Sequence, residues 1–260
     1  MNRELEGKNA IISGARSGIG LSVLRSFAKN GCNCWALIHR KDSHFDAEVE
    51  KIQKENNVWI QPVYIDLGNP ISLQDGMKGI LKEKLPIDIL VNAAGIVSPN
   101  RLFVMTKMED FRQVMEVNFF SVMEISQMVC RSMMRQKKGS IINIASISAW
   151  GEDTSQIEYA ASKSAIVIAT KKMARELGAS GIRVNAVAPG LTDTKMLSLM
   201  NQDAVEMMKK GMALHRLGTP DEIAEVCLFL ASEKSSFITG ETIKADGGGN
   251  CMRLLTSSVY

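Results

Sequence analysis

An apolar run, Asn9-Ala10-Ile11-Ile12, leads directly into Ser13-Gly14-Ala15-Arg16-Ser17-Gly18-Ile19-Gly20, and helix-forming residues follow at once. The run reads as a buried strand and the stretch from Ile19 to Lys29 as a helix. The turn between them therefore gathers backbone N–H groups and the positive end of a helix dipole at one point. A pyrophosphate suits such a turn. The spacing Gly14-x-x-x-Gly18-x-Gly20 is not the Gly-x-Gly-x-x-Gly fingerprint, and a glycine cluster alone fits a plain tight turn equally well; its place after a strand favours the anion.

The pattern repeats downstream. Cys32 to Ile38, Val58 to Ile65, Ile87 to Val91, Ser140 to Ala145 and Arg183 to Ala188 read as strands, with long helical stretches over Glu109 to Arg135 and about Glu158 to Leu177. No repeat or low-complexity linker interrupts them. Alternating strands and helices predict an α/β chain, a single-domain Rossmann-type doubly wound parallel sheet with helices on both faces, whose ligands lie beyond the carboxyl ends of the strands. With 260 residues, 45% of them hydrophobic, one core is affordable. Residues 1–260 are expected to form one domain, with 249–260 as a C-terminal extension.

Charge and composition exclude several classes. Lys and Arg number 31 against 28 acids, a net +3 too small and dispersed to argue for nucleic acid or an anionic membrane. The opening residues are charged, and no stretch approaches the roughly 20 apolar residues of a membrane span, so secretion and membrane insertion are not expected. Cys32, Cys34, Cys130, Cys227 and Cys251 lack the paired spacing of a zinc site and suit reduced thiols of a cytoplasmic protein, with no metal.

The tip of the second strand should meet an adenosine ribose. A carboxylate there favours NAD, and cations favour the 2′-phosphate of NADP. The sequence reads Leu37-Ile38-His39-Arg40-Lys41, and Arg16 in the glycine turn approaches the same place with a planar donor set. NADP is the expectation and NAD the alternative, in which Arg40 and Lys41 are solvated and Asp42 reaches back to the ribose. Asp66, with Leu67 beside it, stands where the third strand meets the adenine, or else as an N-cap ahead of Pro70.

Tyr159 and Lys163 are four residues apart and share a helix face. A phenol titrates near 10 in water, and a neighbouring ammonium is expected to pull that value toward neutrality, making Tyr159 a usable acid or base. Ser146, after the strand, can donate to a carbonyl oxygen, and Asn118 can hold a water leading to Lys163. Singly, these residues suit a strand-end cap, a helix polar residue and an amphipathic pair. Taken with the glycine turn they suit a reaction centre.

In these motifs, and over nearly its whole length, the chain resembles the short-chain dehydrogenase/reductase family. The landmarks are Ser13-Gly14-x-x-x-Gly18-Ile19-Gly20, Asp66, Asn92-Ala93-Ala94-Gly95, Asn118, Ser146, Tyr159-Ala160-Ala161-Ser162-Lys163, Pro189-Gly190-Leu191-Thr192-Asp193-Thr194 and Ile238-Thr239-Gly240 through Asp246-Gly247-Gly248. The resemblance implies an NAD(P)-dependent oxidoreductase in which Tyr159 gives a proton to a carbonyl oxygen, Ser146 polarises that oxygen, Lys163 also holds the nicotinamide ribose and Asn118 completes a proton relay. It implies cofactor contacts from Ser13, Gly14, Arg16, Ser17, Gly18, Ile19, Gly20 and Arg40, from Asp66 and Leu67, from Asn92, Ala93 and Gly95, from Tyr159 and Lys163, and from Pro189, Gly190, Thr192 and Thr194. Three departures stand out. Ser13 replaces the usual Thr, Ala93 replaces a second Asn, and Arg16-Ser17 reverses the Ser-Arg order of many NADP-dependent members.

Within the family the chain is most similar to the 3-oxoacyl-[acyl-carrier-protein] reductase branch, through Arg216-Leu217-Gly218-Thr219-Pro220-Asp221-Glu222-Ile223-Ala224, a run shared by sugar, polyol and steroid reductases. The substrate expected is a small molecule or an acyl thioester, the latter carried by an acidic acyl carrier protein met by Lys137 and Lys138; the other basic position of such reductases holds Ser180. The alternative is an NAD(P)-dependent dehydrogenase of a sugar, polyol or other secondary alcohol. Between Thr194 and His215 an apolar set, Met196, Leu197, Leu199, Met200, Val205, Met207, Met208, Met212 and Leu214, forms either a lid or a stripe packed on the body. Trp150 either narrows the entrance or packs beneath it. Relatives imply a homotetramer joined through two long helices and the C-terminal strand.

Overall fold

A computed structural model describes residues 3–151, 156–195, 197 and 202–249. Its seven strands are β1 (Asn9–Ser13), β2 (Asn33–Ile38), β3 (Ile60–Tyr64), β4 (Ile89–Asn92), β5 (Gly139–Ile144), β6 (Ile182–Pro189) and β7 (Thr242–Ala245). They form one sheet in the order β3-β2-β1-β4-β5-β6-β7, every neighbouring pair parallel. The helices between them are α1 (Gly18–Lys29), α2 (Ser43–Asn56), α3 (Pro70–Lys82), α4 (Met108–Met115), α5 (Ser121–Gln136), α6 (Ile157–Leu177), α7 (Gln202–Gly211) and α8 (Pro220–Ala231).

Both sheet faces are covered, which is why β1 and β5 are buried at every position rather than alternating with exposed residues. Side chains still alternate between the faces. Ala10, Ile12, Cys34 and Ala36 join Val23 and Phe27 of α1 and Cys227 of α8 in one core. Ile11, Trp35 and Leu37 join Met77 of α3 and Val129 of α5 in the other. Burying one such large side chain contributes about 1.5–3 kcal/mol, so the two faces together hold the sheet flat against its helices.

The strand order reverses between β1 and β4, and in a doubly wound sheet that reversal sets the ligand crevice there, beyond the strands' carboxyl ends. Ser13, Asn92 and Pro189 end their strands at that rim, and Ser146 lies just past the end of β5.

The single helix expected over Glu109 to Arg135 is two. Between α4 and α5 the backbone widens into a π-helical stretch, Glu116–Phe120, and Asn118 lies within it. The extra residue turns Asn118 inward, where it is 1% exposed. A one-residue widening of this kind leaves the apolar period almost intact, so periodicity could not reveal it.

Candidate active site

The first turn of the site is built by contacts only glycine allows. Gly14 has φ +69, and a β-carbon on it would meet the Ala94 α-carbon at 2.8 Å. One on Gly20 would overlap the Gly14 carbonyl oxygen. Ser13 locks the turn to the loop after β4: its hydroxyl accepts from the N–H groups of Ala93 and Ala94, each at 3.1 Å. The hydroxyl kept in the Thr-to-Ser departure is the group that makes these bonds. Ser17 stands at the N-cap of α1 without a side-chain bond, and no acid occupies the first turn. The N-terminal amides therefore lack a side-chain acceptor, the arrangement that receives a phosphate.

At the far end of the crevice, Arg16 Nη1 lies 3.1 Å from Asp42 Oδ2. Asp42 also caps α2, accepting from the N–H groups of His44 and Phe45. The Arg16 guanidinium, aided by those N–H bonds, holds the Asp42 carboxyl below its usual range. Arg16, expected to await a 2′-phosphate, thus already has an anionic partner, and Asp42 is turned to Arg16 and to its helix. Arg40 and Lys41 are exposed. Asp66 does not cap α3; Asn69 does. Asp66 Oδ1 accepts from Gly68 N–H at 2.9 Å and lies 3.6 Å from His39 Nδ1, while Leu67 packs against the core.

Asn92 is the residue whose placement departs most from expectation. Its side chain faces inward, 2% exposed, donating to Asn143 Oδ1 at 2.8 Å and to Ser126 Oγ at 3.3 Å. Asn143 in turn donates to Thr170 Oγ1 at 2.9 Å. This buried chain of amides braces β4 and β5 against α5 and α6, and among the described residues Asn92 Oδ1 has no hydrogen-bond partner. Gly95 does reach the centre: a β-carbon there would stand 3.4 Å from both Lys163 Nζ and Asn118 Oδ1.

Asn118, Ser146, Tyr159 and Lys163 converge. Asn118 Nδ2 donates to Ile96 O at 2.9 Å and to Ser162 Oγ at 3.2 Å, and its Oδ1 accepts from Ile96 N at 2.8 Å. Lys163 is buried and donates to Ile144 O at 2.8 Å, with Nζ 5.7 Å from the Tyr159 ring centroid. Ser146 accepts from Ser148 N–H and hydrogen-bonds the Tyr159 hydroxyl. The protonation balance differs from the expectation. Burial pushes the Tyr159 phenol up, and only the bond with Ser146 opposes it. Burial also brings the Lys163 ammonium down to about 8. Desolvation, rather than attraction between the two, governs the pair.

The segment after β6 folds over the glycine turn. Gly190 backs onto Asp246, Thr192 donates to Gly190 O, and the Thr194 methyl lies 3.5 Å from where a β-carbon of Gly18 would be. Of the apolar set beyond it, Met196, Leu199 and Met200 fall outside the described residues; Val205 and Met212 pack into the body, and Met207 and Leu214 are exposed. Trp150 is exposed and stacks on the Lys244 ammonium at 4.6 Å, so it does not pack beneath the entrance. Lys138 pairs with Glu233 at 2.6 Å, at the opposite end of β5 from Ser146. The tail from 250 falls outside the described residues.

Two contacts had no clear signal in the sequence, the Asp42–Arg16 pair and a buried contact of Glu158 with Ser98. Among the described residues no group of three or more His, Cys, Asp or Glu is placed to hold a metal, and no helix is long and apolar enough to cross a membrane.

A family profile described as Enoyl-(Acyl carrier protein) reductase matches residues 14–250. The chain is 36% identical to the 3-oxoacyl-[acyl-carrier-protein] reductase FabG of Chlamydia pneumoniae, over 95% of this chain and 99% of that one. Its structure is similar to a short-chain type dehydrogenase/reductase from Mycobacterium marinum, with TM-score 0.88 and 31% identity over 96% and 98% of the two chains. It is similar too to a 7α-hydroxysteroid dehydrogenase complexed with NADH and 7-oxo glycochenodeoxycholic acid, with TM-score 0.88 and 32% identity over 95% and 96%.

Proposed function

Because the chain belongs to the short-chain dehydrogenase/reductase family, oxidoreductases that act on carbonyl and alcohol groups, we propose that it reduces 3-oxoacyl thioesters, carried by an acyl carrier protein, with NADPH. The observation that carries this reading is the convergence of Tyr159, Ser146, Lys163 and Asn118 in a chain 36% identical to a reductase of that name.

The residues present fit a nicotinamide dinucleotide. The turn from Ser13 to Gly20 suits its pyrophosphate, Arg16 and Arg40 its adenosine ribose, Asp66 and Leu67 its adenine, and the Ala93 and Gly95 backbone the middle of the crevice. Lys163 and Tyr159 suit the nicotinamide ribose, and Pro189, Gly190, Thr192 and Thr194 the ring. When bound, the cofactor supplies the hydride that reaches the carbonyl carbon. The chain's own residues handle the oxygen. Ser146 donates to it, holding the carbonyl against Tyr159. The phenol, protonated at neutral pH as a phenol ordinarily is and pushed further up by burial, releases its proton to the oxygen as negative charge develops there, completing the alcohol. Lys163, with its nitrogen near the ring, stabilises the phenolate and returns a proton toward it. Asn118 holds Ile96 and Ser162, and so fixes the loop beside Lys163.

A second reading, an NAD-dependent dehydrogenase of a sugar, polyol or other secondary alcohol, is favoured by the Asp42 partner of Arg16 and by Ser180. The choice turns on one experiment. Purified protein mixed with NADPH and acetoacetyl thioester should lose nicotinamide absorbance; no loss with either nicotinamide rejects the first reading, and faster turnover of alcohols with NAD than NADP favours the second.

Exposed Met134 on α5, Ile168 on α6 and Phe237 ahead of β7 are apolar surface of the kind that subunits cover, in support of a homotetramer. Four buried free thiols, Cys32, Cys34, Cys130 and Cys227, suit a single-domain cytoplasmic enzyme.

A further inference from the structure

Glu158, the residue before Tyr159, is a carboxylate only 1% exposed that none of the steps above uses. Its Oε1 accepts from the Ser98 hydroxyl, and among the described residues its buried Oε2 has no partner. Burying a carboxylate on a single hydrogen bond costs stability, and neutral side chains would fill the space more cheaply. Its neighbours explain the arrangement. Gln156, in a left-handed conformation at φ 52, donates from Nε2 to Ser98 O at 3.3 Å, and its N–H donates to Arg101 O at 3.3 Å.

Three bonds thus fasten residues 98–101, in the connection from β4 to α4, to the first turn of α6. Asn118 fastens the start of the same connection through Ile96. A segment held at one end by Asn118 and at the other by the residue adjoining Tyr159 lies along the reaction centre. We infer that Glu158 is a positioning residue: it clasps the Ser98–Arg101 segment as a fixed wall beside Tyr159, so that a ketone meets the phenolic hydroxyl in one orientation. The inference rests on the carbonyl-reduction reading, but the clasp itself has a readout independent of activity.

Glu158→Ala and Ser98→Ala should each raise the KM for the ketone about tenfold, with kcat and the Kd for NADPH within about twofold of the parent. The double variant should be no worse than either single one, because both remove the same bond. Glu158→Gln, which still accepts from Ser98, should restore KM. In parallel, limited trypsin digestion should cut the Arg101–Leu102 bond several-fold faster in both alanine variants. Ser98→Ala, on a loop, serves if Glu158→Ala does not fold. Unchanged cleavage, additive effects, or a fall in melting temperature with KM unmoved would each overturn the inference. A parent protein that turns over no ketone would overturn the carbonyl-reduction reading and the positioning role together, and trypsin would still report whether the clasp exists.

Discussion

Lys163 points its Nζ at the Ile144 carbonyl, 2.8 Å away, and keeps it 5.7 Å from the centroid of the Tyr159 ring. Its ammonium is buried between a strand end and the ring that it serves, and burial alone lowers it to about 8. Reduction should therefore require the protonated amine, so kcat/KM for ketone reduction should be level near pH 7 and fall as pH rises through about 8. A pH profile of initial rates with NADPH checks this; a level profile to pH 9.5 would contradict it.

The same displacement has a stability consequence. Lys163 is 4% exposed, and its folded value lies below the 10.5 of an ordinary lysine. The folded protein thus holds the proton less well than the unfolded chain, and stability rises with pH between about 8 and 10.5. Lys163→Met should be more stable than the parent at pH 7 by about 2 kcal/mol, after allowing for the lost Ile144 bond. The difference should shrink toward pH 10. Denaturant melts at both values measure it.

Asp42→Asn tests the cofactor end. Asparagine caps a helix as well as aspartate does, so α2 should remain, while the charge facing Arg16 disappears. Affinity for NADPH should rise about three- to tenfold with that for NADH nearly unchanged. Fluorescence titration of both nucleotides decides. An unaltered ratio would show that Arg16 does not meet the 2′-phosphate.

Gly20→Ala places a β-carbon against the Gly14 carbonyl, a backbone atom that cannot turn aside. The expected outcome is a loss of about 2 kcal/mol in stability and at least a tenfold weaker nucleotide Kd. Calorimetry with and without NADPH reads both.

What the sequence revealed and what it hid follow from the range of the forces involved. β1 and β5 were legible because strands buried on both faces read as short runs dominated by apolar residues. Tyr159 and Lys163 were legible because a helix fixes the relation of residues four apart. Asn118 was found, but not the π-helical stretch that aims it. Arg16 and Asp42 are separated by the whole of α1 and β2, and only the packing of two turns brings them together. Asn92 and Asn143 had a usable signal: polar residues ending or interrupting apolar strands pair across neighbouring strands, and these two stand opposite each other on β4 and β5. Mutual desolvation of Tyr159 and Lys163 had none, since burial is a property of the fold.

Tyr159→Phe bears most directly on the central claim, that the Tyr159 phenol delivers the proton to the carbonyl oxygen. The substitution removes one oxygen and leaves α6 and the glycine turn in place. Single-turnover reduction of acetoacetyl thioester with bound NADPH should slow by about 10³-fold, with the NADPH Kd within about twofold of the parent. A variant that still reduces the ketone within tenfold of the parent rate would contradict the account.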